Sequence, residues 1–175
     1  PNRLELQSVA VQEIGHFIGL GHSAIGETEV MPQGGRRVLG SAAVMFPISL
    51  GRGSIAARTL QPDDIAGVSD LYPAAGFDNS TGGVRGRVRK GGAPVIGAHI
   101  IAFNPRTRAL VGGFALGADG DFQILGLAPG PYVLRVEPLD GADIDSFFDL
   151  PNVDIDFLVT YHPRLGAAPL GGVGD

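Results

Sequence analysis

The chain has 175 residues, with 28 glycines, 13 prolines, no cysteine and a net charge of −5. Glycine and proline together fall just under the ~25–30% typical of low-complexity chains, yet 44% of residues are hydrophobic and only 18% charged, which excludes a solvated tail. The absence of a three-residue glycine period, of an apolar run of ~18 residues, of thiols and of a Lys/Arg-rich cluster excludes collagen, a membrane span, disulfide chemistry and a nucleic-acid partner.

Residues 4–20 carry the long helical pattern. Leu6, Val9, Ala10, Ile14, Phe17 and Ile18 recur at three- and four-residue spacings, and Gly19 and Gly21 end the run. Residues 23–59 read as irregular and hold both methionines. A second short helix is predicted after them. Gln61-Pro62-Asp63-Asp64 supplies its first turn, and Ile65, Val68 and Leu71 its apolar face. Residues 74–81 read as a linker of turn formers.

Beyond residue 82 the period changes to two. Val84, Gly86 and Val88 alternate with Arg85, Arg87 and Arg89, a face expected to be an ordinary solvated strand surface. Ala98, Ile100 and Ala102 alternate with His99, Ile101 and Phe103, and Tyr132, Leu134 and Val136 with Val133, Arg135 and Glu137. Gly91-Gly92, Asn104-Pro105, Asp119-Gly120 and Pro129-Gly130 mark the turns between. The pattern predicts a small antiparallel β-sandwich over residues 82–137, and an α+β chain overall. Residues 138–175 are acidic, then Gly- and Pro-rich, with one expected strand at 156–161. The acidic run at 140–156 matches no EF-hand spacing, so calcium has charge alone in its favour.

The chemistry is concentrated in Gln12-Glu13-Ile14-Gly15-His16-Phe17-Ile18-Gly19-Leu20-Gly21-His22-Ser23. Its spacing is that of H-E-x-x-H-x-x-G-x-x-H, with Gln12 where the first histidine belongs. Positions 12 and 16 share one helix face, so two side chains there can converge on one ion. Gly19 tolerates positive φ and so lets the chain turn back and bring His22 towards the same point. Glu13 lies beside it, where a carboxylate can take a proton from water, and zinc in such a site lowers the pKa of bound water to ~7.

Two further segments extend the match. Ala43-Val44-Met45-Phe46-Pro47 looks like a Met-turn. Residues 60–72, with Asp63 and Asp64, resemble the helix that closes matrixin-type protease domains. Residues 1–73 thus resemble the C-terminal half of a matrixin-like metzincin metalloprotease. The resemblance implies a truncated catalytic subdomain (active-site helix, Met-turn, C-terminal helix), zinc as cofactor and proteins or peptides as substrates. It also implies secretion to the outside of a bacterial cell. Residue by residue, it implies His16 and His22 as zinc ligands, Glu13 as general base, Gln12 at the vacant ligand position and Met45 as support beneath the metal. Asp63 and Asp64 are expected to be structural, through helix capping and bonds to the Met-turn region. Such domains carry a β-sheet before the active-site helix. The chain, which begins at Pro1, is therefore read as a portion of a longer protein whose upstream part completes the cleft.

Gln12 keeps two readings open, since an amide oxygen is a weak partner for zinc. One is a zinc metalloendopeptidase with impaired activity. The other is an inactive pseudoprotease serving as an extracellular binding or structural module.

Residues 82–137 resemble the transthyretin-like carboxypeptidase regulatory-like domain. The likeness rests on Val84-Arg85-Gly86-Arg87-Val88, Pro94-Val95-Ile96-Gly97-Ala98, Ala118-Asp119-Gly120-Asp121-Phe122 and Leu127-Ala128-Pro129-Gly130-Pro131-Tyr132. It implies a stabilising, spacing or binding role without chemistry, and Tyr132 is expected to face the core. His99 and His162 match no ligand spacing and are expected at the surface or on a strand edge.

Overall fold

The computed structural model describes residues 5–30, 32, 36–47, 54–139 and 153–162. They form an α+β arrangement of few helices and mainly antiparallel strands.

Helix α1 (Leu6–Phe17) starts at Glu5, whose carboxylate accepts the Gln7 and Ser8 N–H groups. Arg58, in a 3-10 turn at Ala56–Arg58, holds the same carboxylate with a bond of 2.8 Å. The helix ends in a Schellman motif. Gly19 N–H donates to His16 O and Leu20 N–H to Gly15 O, both at 3.0 Å, with Gly19 at φ 101°. The apolar stripe expected to be buried is largely open, with Leu6 80%, Ile14 59% and Phe17 91% exposed. The buried position of α1 is Gly15.

Residues 23–59, expected to be irregular, contain an antiparallel hairpin, β1 (Gly26–Val30) with β2 (Arg36–Ser41). Gly26-Glu27-Thr28-Glu29-Val30 has no apolar alternation, so the usual strand signal is missing from the sequence. Its placement comes from close approach instead, since a Cβ on Gly26 would overlap the Phe46 ring.

Helix α2 (Pro62–Leu71) begins with a capping box. Gln61 N–H donates to Asp64 Oδ2 at 2.8 Å, and Pro62 stands in the first turn. The buried face is not the predicted one. Ile65 and Leu71 are half exposed, while Ala66 and Asp64 are buried. Small residues win here because two backbones approach closely. A Cβ on Gly126 would come within 3.0 Å of Ala66 Cα, and one on Gly67 within 3.1 Å of Leu20 Cδ2. The segment expected as a linker carries a single helical turn, α3 (Phe77–Ser80).

The β-rich half has β3 (Gly82–Arg87) paired with β8 (Asp121–Leu127), and β4 (Arg89–Lys90) paired with β5 (Ala93–Pro94). A four-stranded antiparallel sheet runs β10 (Thr160–His162), β9 (Val133–Glu137), β6 (His99–Phe103), β7 (Leu110–Phe114). Val88, Val95, Ala98, Ile100, Ala102 and Ile124 form its core, with Tyr132 and Phe157 packed against it, and Ala66 of α2 joins the same cluster. Arg87 pairs in register with Asp121 at 2.8 Å, on an exposed face. β10 lies close to the expected strand, while most of the acidic run falls in residues 140–152, outside the described set.

β6 is buried on both faces, from His99 to Ala102. The alternation reads as half-buried because its second set, His99, Ile101 and Phe103, faces the first half of the chain across a groove of about 780 Å³ that Ile25 and Phe46 also line.

Candidate metal centre

The α1 C-terminus, the Met45 turn and α2 are knitted together largely by polar contacts. Asp64 is 2% exposed, and its carboxylate accepts the Val44 N–H at 2.9 Å and the Met45 N–H at 3.1 Å, besides that of Gln61. Met45 is itself buried and lies under Gly15, where an added Cβ would collide with the Met45 sulfur. A side chain at position 15 and the Met45 turn therefore exclude one another. Tyr72 closes the arrangement by donating to Ile18 O at 2.9 Å.

On this support the glycine turn brings His22 back to His16. The two rings stand edge to face, with centroids 4.8 Å apart. Leu20 O engages His16 Nδ1 at 3.0 Å, which fixes the ring and leaves Nε2 as the nitrogen for a ligand. Gln12, one turn before His16, donates its side-chain N–H to Phe46 O at 3.2 Å. Glu13 is exposed.

Among the described residues, no group of three His, Cys, Asp or Glu side chains is placed to hold a metal ion. What converges is two imidazoles. Catalytic zinc takes three strong protein ligands, so this set falls one short.

Two polar groups lie deeper than the sequence suggested. His99, expected at the surface, is 1% exposed on the inner strand β6. Its burial is made possible by Glu137, which faces it in register on β9 and bonds Nδ1 at 3.1 Å, while Arg135 pairs with the other carboxylate oxygen. Burial alone would raise the Glu137 carboxyl, but His99 and Arg135 outweigh it and hold it below its ordinary value. Asp63 accepts the Gly112 N–H at 2.7 Å. Desolvation pushes its carboxyl above the ordinary range, against the pull of the Ser23 hydroxyl, the Gly112 N–H and His99. Sequence carried no signal for either contact, because both join residues far apart in the chain. His162 is exposed on the edge strand β10, as expected.

Over 81 residues the chain is 40% identical to Metalloendoproteinase 5-MMP of Arabidopsis thaliana, a stretch covering 46% of this chain. That stretch supports a matrixin-like metalloprotease relationship. It spans 17% of the plant protein's own length. No family model and no solved structure matches the chain. Among the described residues, no helix is long and apolar enough to cross a membrane.

Proposed function

We propose that residues 1–73 are the C-terminal part of a secreted zinc metalloendopeptidase domain acting on proteins or peptides, and that residues 82–137 are an accessory β-sandwich without chemistry of its own. The observation that carries this is the meeting of His16 and His22 over the Met45 turn, in a chain partly similar to a metalloendoproteinase. In this reading His16 and His22 would hold the ion, and Gln12 would offer only its amide oxygen. Zinc, when bound, supplies Lewis acidity towards a peptide carbonyl. Glu13, on the open side of α1, is the carboxylate that takes a proton from water. Leu6, Ile14 and Phe17 form an apolar row for which the upstream part of the same protein is the natural cover, and the greater length of the plant relative agrees with that.

The Gln12 contact favours a second reading, an inactive extracellular binding module. Because the Gln12 amide is tied to Phe46 O, the residue serves as a brace for the turn and gives up part of its reach towards a cation. The two readings separate in a casein assay on the full-length protein and on Gln12→His. Under the first, Gln12→His raises activity by one or more orders of magnitude from a measurable base. A parent with no activity, together with an inactive Gln12→His that takes up zinc, establishes the second.

A further inference from the structure

The groove of about 780 Å³ runs between the β1–β2 hairpin and one face of the four-stranded sheet. That volume falls within the ~300–1,000 Å³ of ligand-binding clefts. Its walls are mainly apolar, with Ile25, Leu39 and Phe46 on the hairpin side and Ile101, Val133 and Tyr161 on the sheet. The walls meet where Ile25 packs on Gly112 of β7, since a Cβ there would lie 3.1 Å from Ile25 Cδ1. At the open side, Leu39 is 54% and Tyr161 46% exposed. Contiguous exposed apolar surface rimmed by polar groups marks a binding groove.

The charged groups in it are few and placed on both walls. Arg135 stands in the middle of the sheet wall, in register with Tyr161 on β10 and Ile101 on β6. Its guanidinium is paired with Glu137 Oε2, and its Nε is buried with no hydrogen-bond partner among the described residues. Glu137 has both carboxylate oxygens engaged, one by His99 Nδ1 and one by Arg135. The Arg135 side chain is 41% exposed and that of Glu137 17%, so the sheet wall offers an incoming group N–H donors. On the hairpin wall, exposed Glu27 offers the reverse, a carboxylate acceptor. The hairpin is a two-stranded sheet, so among the described residues each of its strands keeps one edge that no further strand covers. Such an edge offers backbone N–H and C=O groups to an extended chain.

We propose that this groove binds an extended apolar peptide segment, laid along the hairpin with a backbone carbonyl on Arg135. The occupant follows from complementarity. A hydrocarbon leaves Arg135 and Glu27 unmatched, and a fatty carboxylate answers Arg135 but meets Glu27 and Glu137 as like charges. A peptide backbone is uncharged and brings donors and acceptors together, while its alternate side chains fill the apolar walls. Binding needs no metal, so the proposal does not rest on the metalloendopeptidase reading.

The test uses the whole chain and a neutral capped probe, acetyl-Leu-Val-Ser-Val-Leu-amide, followed through the methyl resonances of Ile101 and Val133. Saturable shifts of both are expected. Leu39→Asp removes an exposed wall residue without entering the core, and is expected to weaken binding about tenfold or more, the equivalent of one buried leucine. Arg135→Lys keeps the charge that faces Glu137 but loses the guanidinium fork, and is expected to weaken binding about two- to tenfold. Leu116→Asp, at a similarly exposed leucine outside the groove, is expected to bind as the parent does. Absent or unsaturable shifts overturn the proposal. So does equal weakening by Leu116→Asp and Leu39→Asp, or a saturable response to decanoate with none to the peptide. If Arg135→Lys does not fold, the two leucine variants decide by the same criterion.

Discussion

The two halves of the molecule are held together by different forces. The β-rich half closes over a continuous apolar core, with Val95, Ala98, Ile100 and Ala102 fully buried. The α1–α2 half has its buried apolar residues concentrated in the short stretch Ala43–Phe46 and braces that stretch with hydrogen bonds to the Asp64 carboxylate and from the Gln12 amide. A polar brace fixes direction as well as distance, which suits a turn that must hold a side chain under a helix. An apolar core tolerates more rearrangement, which suits a scaffold.

That contrast can be broken most sharply at Asp64. Removing the buried carboxylate leaves the Val44 and Met45 N–H groups without their acceptor, and each such loss costs about 1–3 kcal/mol. Asp64→Ala is expected to lower stability by about 4 kcal/mol. The matched change in the other half, Ile100→Ala, empties core volume and is expected to cost about 3 kcal/mol. Urea unfolding measures both. The informative difference lies in their reach: Asp64→Ala should also disturb the His16 and His22 environment, and Ile100→Ala should not. A Gly15→Ala variant tests the packing of the turn alone. Its Cβ must displace Met45, and overpacking of this kind costs about 1–3 kcal/mol. Gly21→Ala, where an added Cβ meets nothing within 4 Å, is the control.

The smallest effect is electrostatic. Arg58 and the Ser8 N–H hold the Glu5 carboxyl down to about 2. A depressed folded value contributes stability that is present above the unfolded value of 4.5 and is lost as pH falls from there towards about 2. Arg58→Ala should return the Glu5 titration, followed by carboxyl carbon shifts, towards the ordinary range while changing stability at neutral pH little. Glu137, depressed by His99 and Arg135, loses its contribution in the same acid direction. Asp63 runs the opposite way: its raised value means the folded state favours the proton, so its contribution declines as pH rises.

Much of this was legible in the sequence where the information is local. The start of α2 follows from Gln61, Pro62 and Asp64, and the end of α1 from Gly19, because caps and left-handed turns are decided within a few residues. The strands around Ile100 and Val136 were visible through their alternation. The β1–β2 hairpin, the burial of His99 and the Asp63–Gly112 bond were not, since each depends on a partner supplied by another part of the chain. The inner face of α2 was misjudged for a related reason. Hydrophobicity pointed to Ile65 and Leu71, while close backbone approach selected Ala66. At the candidate site, the spacing brought out His16 and His22, but the tie between Gln12 and Phe46 O could not be read from it.

The central claim is that two imidazoles converge here and that Gln12 leaves the third ligand position weak. The most direct test is zinc stoichiometry of the full-length protein after dialysis against metal-free buffer, for the parent and for Gln12→His. The expected result is clearly substoichiometric zinc in the parent and one tightly held ion per chain in Gln12→His. One tightly held ion in the parent, unchanged by Gln12→His, would contradict the account.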